Sequence, residues 1–135
     1  MRLWHKDLID VLPRQQLFGQ WRECCLIMQN IKNNSTPNHI LVNKIMEYPI
    51  EEFNEYAERV RAEIIKRGHK CYFGNFSKWQ TKTNIERIDG EIFKGWHNKR
   101  YLMQCFYNLQ EKYDCGGVPE EEWKRLCVKV KELWE

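Results

Sequence analysis

Pro13-Arg14-Gln15-Gln16-Leu17-Phe18-Gly19-Gln20-Trp21-Arg22-Glu23-Cys24-Cys25-Leu26-Ile27-Met28-Gln29-Asn30-Ile31 is the stretch that decides the fold class of this chain. Leu17, Trp21, Cys24, Met28 and Ile31 recur at steps of four and three. At about 3.6 residues per turn that spacing lines one side of an amphipathic helix. Pro13 suits its first turn, where a missing N–H takes nothing from the helix. Asn33-Asn34-Ser35-Thr36-Pro37 ends it.

The same periodicity continues outward. A second helix opens near Glu51 and runs to Arg67, with Phe53, Tyr56, Ala57, Val60 and Ile64 on one face. Its acids come early (Glu51, Glu52, Glu55), Lys66 and Arg67 come last, and Gly68 follows, an order that matches the helix dipole and a glycine cap. A third helix spans about residues 98–113, with Tyr101, Leu102, Cys105, Phe106, Leu109 and Tyr113 inward and Gly116-Gly117 as its stop. A fourth begins at Pro119 with Glu120-Glu121-Glu122 in its first turn and buries Trp123, Leu126, Val130 and Leu133. A shorter helix is expected at about residues 38–47. The reading is all-α: a single compact domain over residues 1–135, about four to five helices with a long irregular loop at about 69–97.

Composition agrees with that class. With 42% hydrophobic and 30% charged residues, 135 positions can bury one core under a solvated surface. Seven Gly and four Pro are too few for disorder or for a many-turned sandwich of strands. No run approaches the roughly 18 apolar residues of a membrane span. Met1-Arg2-Leu3-Trp4-His5-Lys6-Asp7 lacks the apolar stretch of a signal peptide. A soluble, cytoplasmic protein is expected. The six cysteines (Cys24, Cys25, Cys71, Cys105, Cys115, Cys127) contain no C-x-x-C, so free thiols are expected, with no metal and no disulfide.

Charge is polarised along the chain. Residues 66–100 carry nine Lys/Arg against three acids, a net of +6, whereas residues 47–63 carry six Glu against two Arg, a net of −4. A basic segment of this kind can face a polyanion or can be a solvated loop. In the 69–97 stretch, Tyr72, Phe73, Phe76, Trp79, Phe93 and Trp96 alternate with Lys70, Lys78, Lys82, Arg87 and Lys94. That mixture resembles the stacking-plus-charge chemistry of nucleic-acid grooves, but it also fits rings that pin a loop to the core.

The usual catalytic signatures are missing: no P-loop, no G-x-S-x-G, no H-E-x-x-H and no Gly-rich dinucleotide turn. His5, His39, His69 and His97 are scattered and read as structural hydrogen-bonders. What remains is Arg22-Glu23 in the middle of the first helix, beside Trp21 and Cys24 of the apolar stripe. On composition alone it would be a surface ion pair.

Met1-Arg2-Leu3-Trp4-His5, then Leu12-Pro13-Arg14-Gln15-Gln16-Leu17 and Trp21-Arg22-Glu23, resemble the pyrimidine-dimer DNA glycosylase/AP lyase family. The resemblance continues through Glu63-Ile64-Ile65-Lys66-Arg67-Gly68 and Asn108-Leu109-Gln110-Glu111-Lys112. It implies base-excision DNA repair on double-stranded DNA carrying a damaged base or an abasic site. In that chemistry a terminal α-amine attacks the sugar C1′, expels the base and forms a Schiff base, and β-elimination follows. Arg2 is bulky enough to block removal of the initiator, so the implied nucleophile is the amine of Met1. Glu23 is implied as the essential carboxylate, Arg2 and Arg22 as phosphate clamps, and Gln15, Gln16 and Lys112 as further DNA contacts. No metal or cofactor is implied, and a monomer is the family's default. At Gln16, at Asn108 and in the aromatic loop the chain departs from the family's pattern. The same residues would also suit a non-catalytic helical nucleic-acid-binding module, or an interaction domain with no nucleic-acid role. A net charge of only +3 leaves that last reading open.

Overall fold

The computed structural model describes residues 2–33, 39–77 and 90–135, with Asn75 described by its backbone alone. A 3-10 turn, Lys6–Val11, precedes six helices: α1 Arg14–Asn33, α2 Ile40–Ile45, α3 Ile50–Lys66, α4 Gly74–Ser77, α5 Lys99–Asp114 and α6 Glu120–Trp134. No strand occurs among the described residues, and the fold is all-α. The helix is described as far as Asn33, and the rest of its expected end, Asn34-Ser35-Thr36-Pro37, lies outside the described residues.

Local chemistry sets the helix ends. The carbonyl of Pro13 accepts the Leu17 N–H at 2.9 Å and starts α1. Glu51 and Glu52 occupy the first turn of α3 and Lys66 its last, complementing the helix dipole. Gly68, at φ 89°, turns the chain out of α3 so that His69 N–H reaches the Ile64 carbonyl. Asn98 caps α5, its side-chain oxygen accepting from Tyr101 N–H at 2.9 Å. Three glutamates fill the first turn of α6.

The count exceeds the expected four to five because two elements are too short to show a period. Lys6–Val11 is stabilised by His5, whose Nδ1 accepts from Asp7 N–H, and by burial of Leu8 and Ile9. Gly74–Ser77 exists to deliver Phe76 to the core, against Trp21 and Phe53. The expected short helix at 38–47 is α2, capped by His39.

The core lies between α1 and α3. Leu17, Cys24, Ile27 and Met28 face Phe53, Tyr56, Ala57, Val60 and Ile64, all buried. Each Leu, Ile, Met, Phe or Val among them removed from water contributes roughly 1.5–3 kcal/mol. Arg67, at the end of α3, donates to Glu63 at 2.8 Å and to the carbonyls of Leu12 at 2.8 Å and Asp10 at 3.2 Å. It therefore locks the turn before α1 onto α3.

The aromatic loop mostly faces inward. Phe76 and Phe93 are fully buried, and Phe73 and Trp96 pack half-buried on the core. Phe93 adopts a positive φ of 55°, held by its N–H donating to Glu52 at 2.7 Å. Among the loop's described rings only Tyr72 is exposed, at 71%. Lys78, Trp79, Lys82 and Arg87 lie outside the described residues. Cys24, Cys71, Cys105, Cys115 and Cys127 are free thiols. No described helix is long and apolar enough to cross a membrane.

Candidate functional site

Residues 2–5 form an extended arm laid across α1, α3 and α5, and buried side chains hold its backbone. Gln20 of α1 does most of this. Its amide nitrogen donates to the Arg2 carbonyl at 2.9 Å and its oxygen accepts from Trp4 N–H at 2.7 Å. The Tyr56 hydroxyl of α3 lies 2.6 Å from the Trp4 carbonyl and 2.8 Å from Gln20 Oε1, its one proton shared between two acceptors. Tyr101 of α5 donates to the Leu3 carbonyl. His97 then accepts the Lys6 N–H on Nδ1 at 2.9 Å.

Burial fixes the protonation of these groups. The Tyr56 phenol is pushed far above its ordinary range by desolvation, and Tyr101 is raised for the same reason, so both stay neutral donors. His97 is pushed down to about 2, chiefly by burial and secondarily by His5 and Lys6 beside it. It stays neutral and keeps its Nδ1 lone pair for the arm. His5, tilted against it at 5.1 Å, is also lowered by burial.

Glu23 stands on the same nitrogen. Gln20 Nε2 donates to Glu23 Oε2 at 3.1 Å as well as to the Arg2 carbonyl, so a single amide joins the N-terminal backbone to the carboxylate. Glu23 is half-buried, one turn along α1 from Gln20. The Arg2 guanidinium lies over the Trp4 ring at 5.6 Å and reaches Tyr101 and Cys105, offsetting part of the rise that burial gives both. Arg22 is exposed and folds back toward Gly19. It edges a cavity of about 220 Å³ with Phe18, Trp21, Lys70 and Tyr72. Met1 lies outside the described residues, one peptide bond from Arg2.

The structure thus brings the Arg2 carbonyl and Glu23 onto one amide, whereas Arg22, adjacent to Glu23 in sequence, faces the cavity with Lys70 and Tyr72. Gln15 and Gln16 sit about two turns nearer the start of α1 and line a separate groove of about 750 Å³. Its far wall runs from Gly116 to Arg125 and includes Glu120, Glu121 and Glu122. Glu122 also accepts the Arg14 N–H at 3.0 Å, which binds that wall to α1. Lys112 is exposed on α5, its carbonyl accepting from Gly117 N–H in the same wall.

The family model for pyrimidine dimer DNA glycosylases matches residues 1–76. The chain belongs to that family. The match takes in Arg2, Gln15, Gln16, Arg22 and Glu23 and stops well short of Lys112. No curated protein and no solved structure matches the chain. Membership in the pyrimidine dimer DNA glycosylase family implies a DNA substrate.

Sequence reading did not single out Gln20, nor the roles of the Tyr56 and Tyr101 hydroxyls. For Gln20 a signal was present: it falls three residues after Leu17 and four before Cys24, a polar side chain inside the apolar stripe. Buried polar side chains need partners, and Gln20 is buried with four. Among the described residues no cluster of three His, Cys, Asp or Glu side chains could hold a metal ion.

Proposed function

We propose that residues 1–135 act as a single domain, a monomeric DNA repair glycosylase with AP lyase activity on duplex DNA carrying a damaged base or an abasic site. The α-amine of Met1 attacks C1′ of the sugar. The new N–C1′ bond replaces the bond to the base, which leaves with its electron pair. Opening of the C1′–O4′ bond gives a protonated Schiff base. Loss of a C2′ proton then expels the 3′ phosphate by β-elimination, and water releases the enzyme. An α-amine ordinarily titrates near 7.7–8, so a useful fraction is neutral at cellular pH.

Glu23 stabilises the cationic sugar and moves protons during ring opening and elimination. Arg2 and Arg22 hold flanking phosphates, a task suited to a planar, permanently charged guanidinium. Gln15, Gln16 and Lys112 contact the duplex further along. The amine supplies the nucleophile and Glu23 the charge and proton transfer, so the chemistry needs no metal or cofactor.

The observation that carries this reading is the shared Gln20 amide. The Arg2 carbonyl and the Glu23 carboxylate meet on one nitrogen, which supports pairing the N-terminal arm with this acid. Family membership supports the DNA substrate and the glycosylase class. The test is incision of an abasic-site duplex by Glu23→Gln, which keeps shape and removes charge. Strand cleavage is expected to vanish with DNA affinity nearly intact. Normal cleavage would remove Glu23 from the mechanism, and DNA binding without incision by the unmodified protein would favour a non-catalytic binding module.

A further inference from the structure

We propose that Gln20 is a positioning residue for the Schiff-base reaction, setting the N-terminal arm in register with Glu23; this rests on the reading above. A carboxamide has two N–H donors and an oxygen with two lone pairs. In Gln20 all four are used: Arg2 carbonyl and Glu23 Oε2 on the nitrogen, Trp4 N–H and Tyr56 hydroxyl on the oxygen. Which end is which is dictated by the partners. Trp4 N–H can only donate, so it must meet the oxygen, and the nitrogen must point to the carbonyl and the carboxylate.

No other side chain meets this demand. Glutamate has the length and lacks the two donors, leucine has the bulk and lacks any polar atom, and asparagine is one methylene short. Gln20 is only 1% exposed, so water cannot stand in for a lost partner. Its three main-chain and carboxylate partners come from both sides of the reacting region: Arg2 and Trp4 from the arm, Glu23 from α1. Tyr56 anchors the group from α3. Nothing here places Gln20 on the substrate. It acts through the groups that touch it, by fixing the backbone of Arg2 and Trp4 against Glu23 before DNA arrives, and misplacement by an ångström can cost roughly a hundredfold in rate.

Gln20→Glu is the discriminating variant. The introduced carboxyl faces the Glu23 carboxylate across a gap now filled by an N–H. Two carboxyls in one site cannot both ionise readily, so the pair holds one proton to higher pH. The pH profile of borohydride-trapped adduct on abasic-site DNA is measured for both proteins. The acidic limb is expected to move up by roughly one pH unit or more in Gln20→Glu. A role confined to stability would lower the melting temperature and leave that profile where it is. A profile superimposed on the unmodified protein's overturns the proposal.

Amide hydrogen exchange at Trp4 reads the positioning without reference to chemistry. In Gln20→Leu, Trp4 N–H loses its acceptor, and its exchange is expected to quicken roughly tenfold or more relative to core amides of α1. If that variant does not fold, the same exchange is read on Gln20→Met, which keeps the length and has no carbonyl oxygen. Unchanged protection at Trp4 overturns the positioning role. Should the unmodified protein form no adduct, the functional reading fails, and Trp4 exchange alone decides whether Gln20 holds the arm.

Discussion

The Tyr56 hydroxyl lies 2.6 Å from the carbonyl of Trp4, joining residues 52 positions apart and tying the buried face of α3 to the N-terminal arm. The same oxygen is 2.8 Å from Gln20, so α1, α3 and the arm meet at one phenol. The contact is fully buried, and desolvation keeps the phenol protonated across the physiological range.

Tyr56→Phe should therefore act on the arm before it acts anywhere else. It removes one donor from two buried acceptors and leaves the ring's packing in place. A loss of about 1–2 kcal/mol in unfolding free energy is expected, read in denaturant titration. DNA affinity should change little, because Tyr56 is wholly interior. An unchanged midpoint would mean that the hydroxyl is dispensable to the arm.

Acid should weaken the fold through His97. Its folded pKa is depressed to about 2, while the unfolded chain binds a proton near the ordinary value of 6.5. Its contribution is thus complete above about pH 6.5 and is lost as pH falls below that, toward the folded value. At pH 5 the loss amounts to roughly 1–2 kcal/mol. The physical reason is geometric: Nδ1 already accepts the Lys6 N–H, so a second proton there would break that bond in a buried site. In His97→Asn, stability between pH 5 and 7 should be flatter, though lower overall. Parallel pH dependence in the two proteins would assign the acid sensitivity elsewhere.

Arg22 gives a measurable electrostatic prediction. It is exposed beside Lys70 on the rim of a small aromatic cavity, next to Glu23. One phosphate contact corresponds to a change of about one in the slope of log affinity against log salt. Arg22→Ala should reduce the slope by about that much and weaken binding at low salt. An unaltered slope would remove Arg22 from the DNA surface.

The four long helices were legible because their apolar spacing needs only local sequence, and the rows at Leu17–Met28 and Phe53–Ile64 do face each other. The histidines were also legible as structural: His5 and His39 cap helices and His97 holds Lys6. Glu23 is a candidate only through its family motif, since a charged residue in mid-helix reads as surface. Gln20 was missed because a polar residue in an apolar stripe looks like a flaw until its partners, 16 and 36 positions away, are brought to it. The acidic wall facing Gln15 and Gln16 was equally hidden, being built from residues about a hundred positions on. The aromatic loop was read both ways, and the described rings other than Tyr72 take the inward alternative.

The most direct measurement is borohydride trapping on abasic-site DNA, with the native N-terminus beside a sample acetylated there. A covalent protein–DNA adduct that disappears on acetylation is the expected result, because an acetylated α-amine cannot form a Schiff base. An adduct that survives acetylation would assign the nucleophile to a lysine. No adduct in either sample, with salt-dependent DNA binding intact, would contradict the catalytic reading.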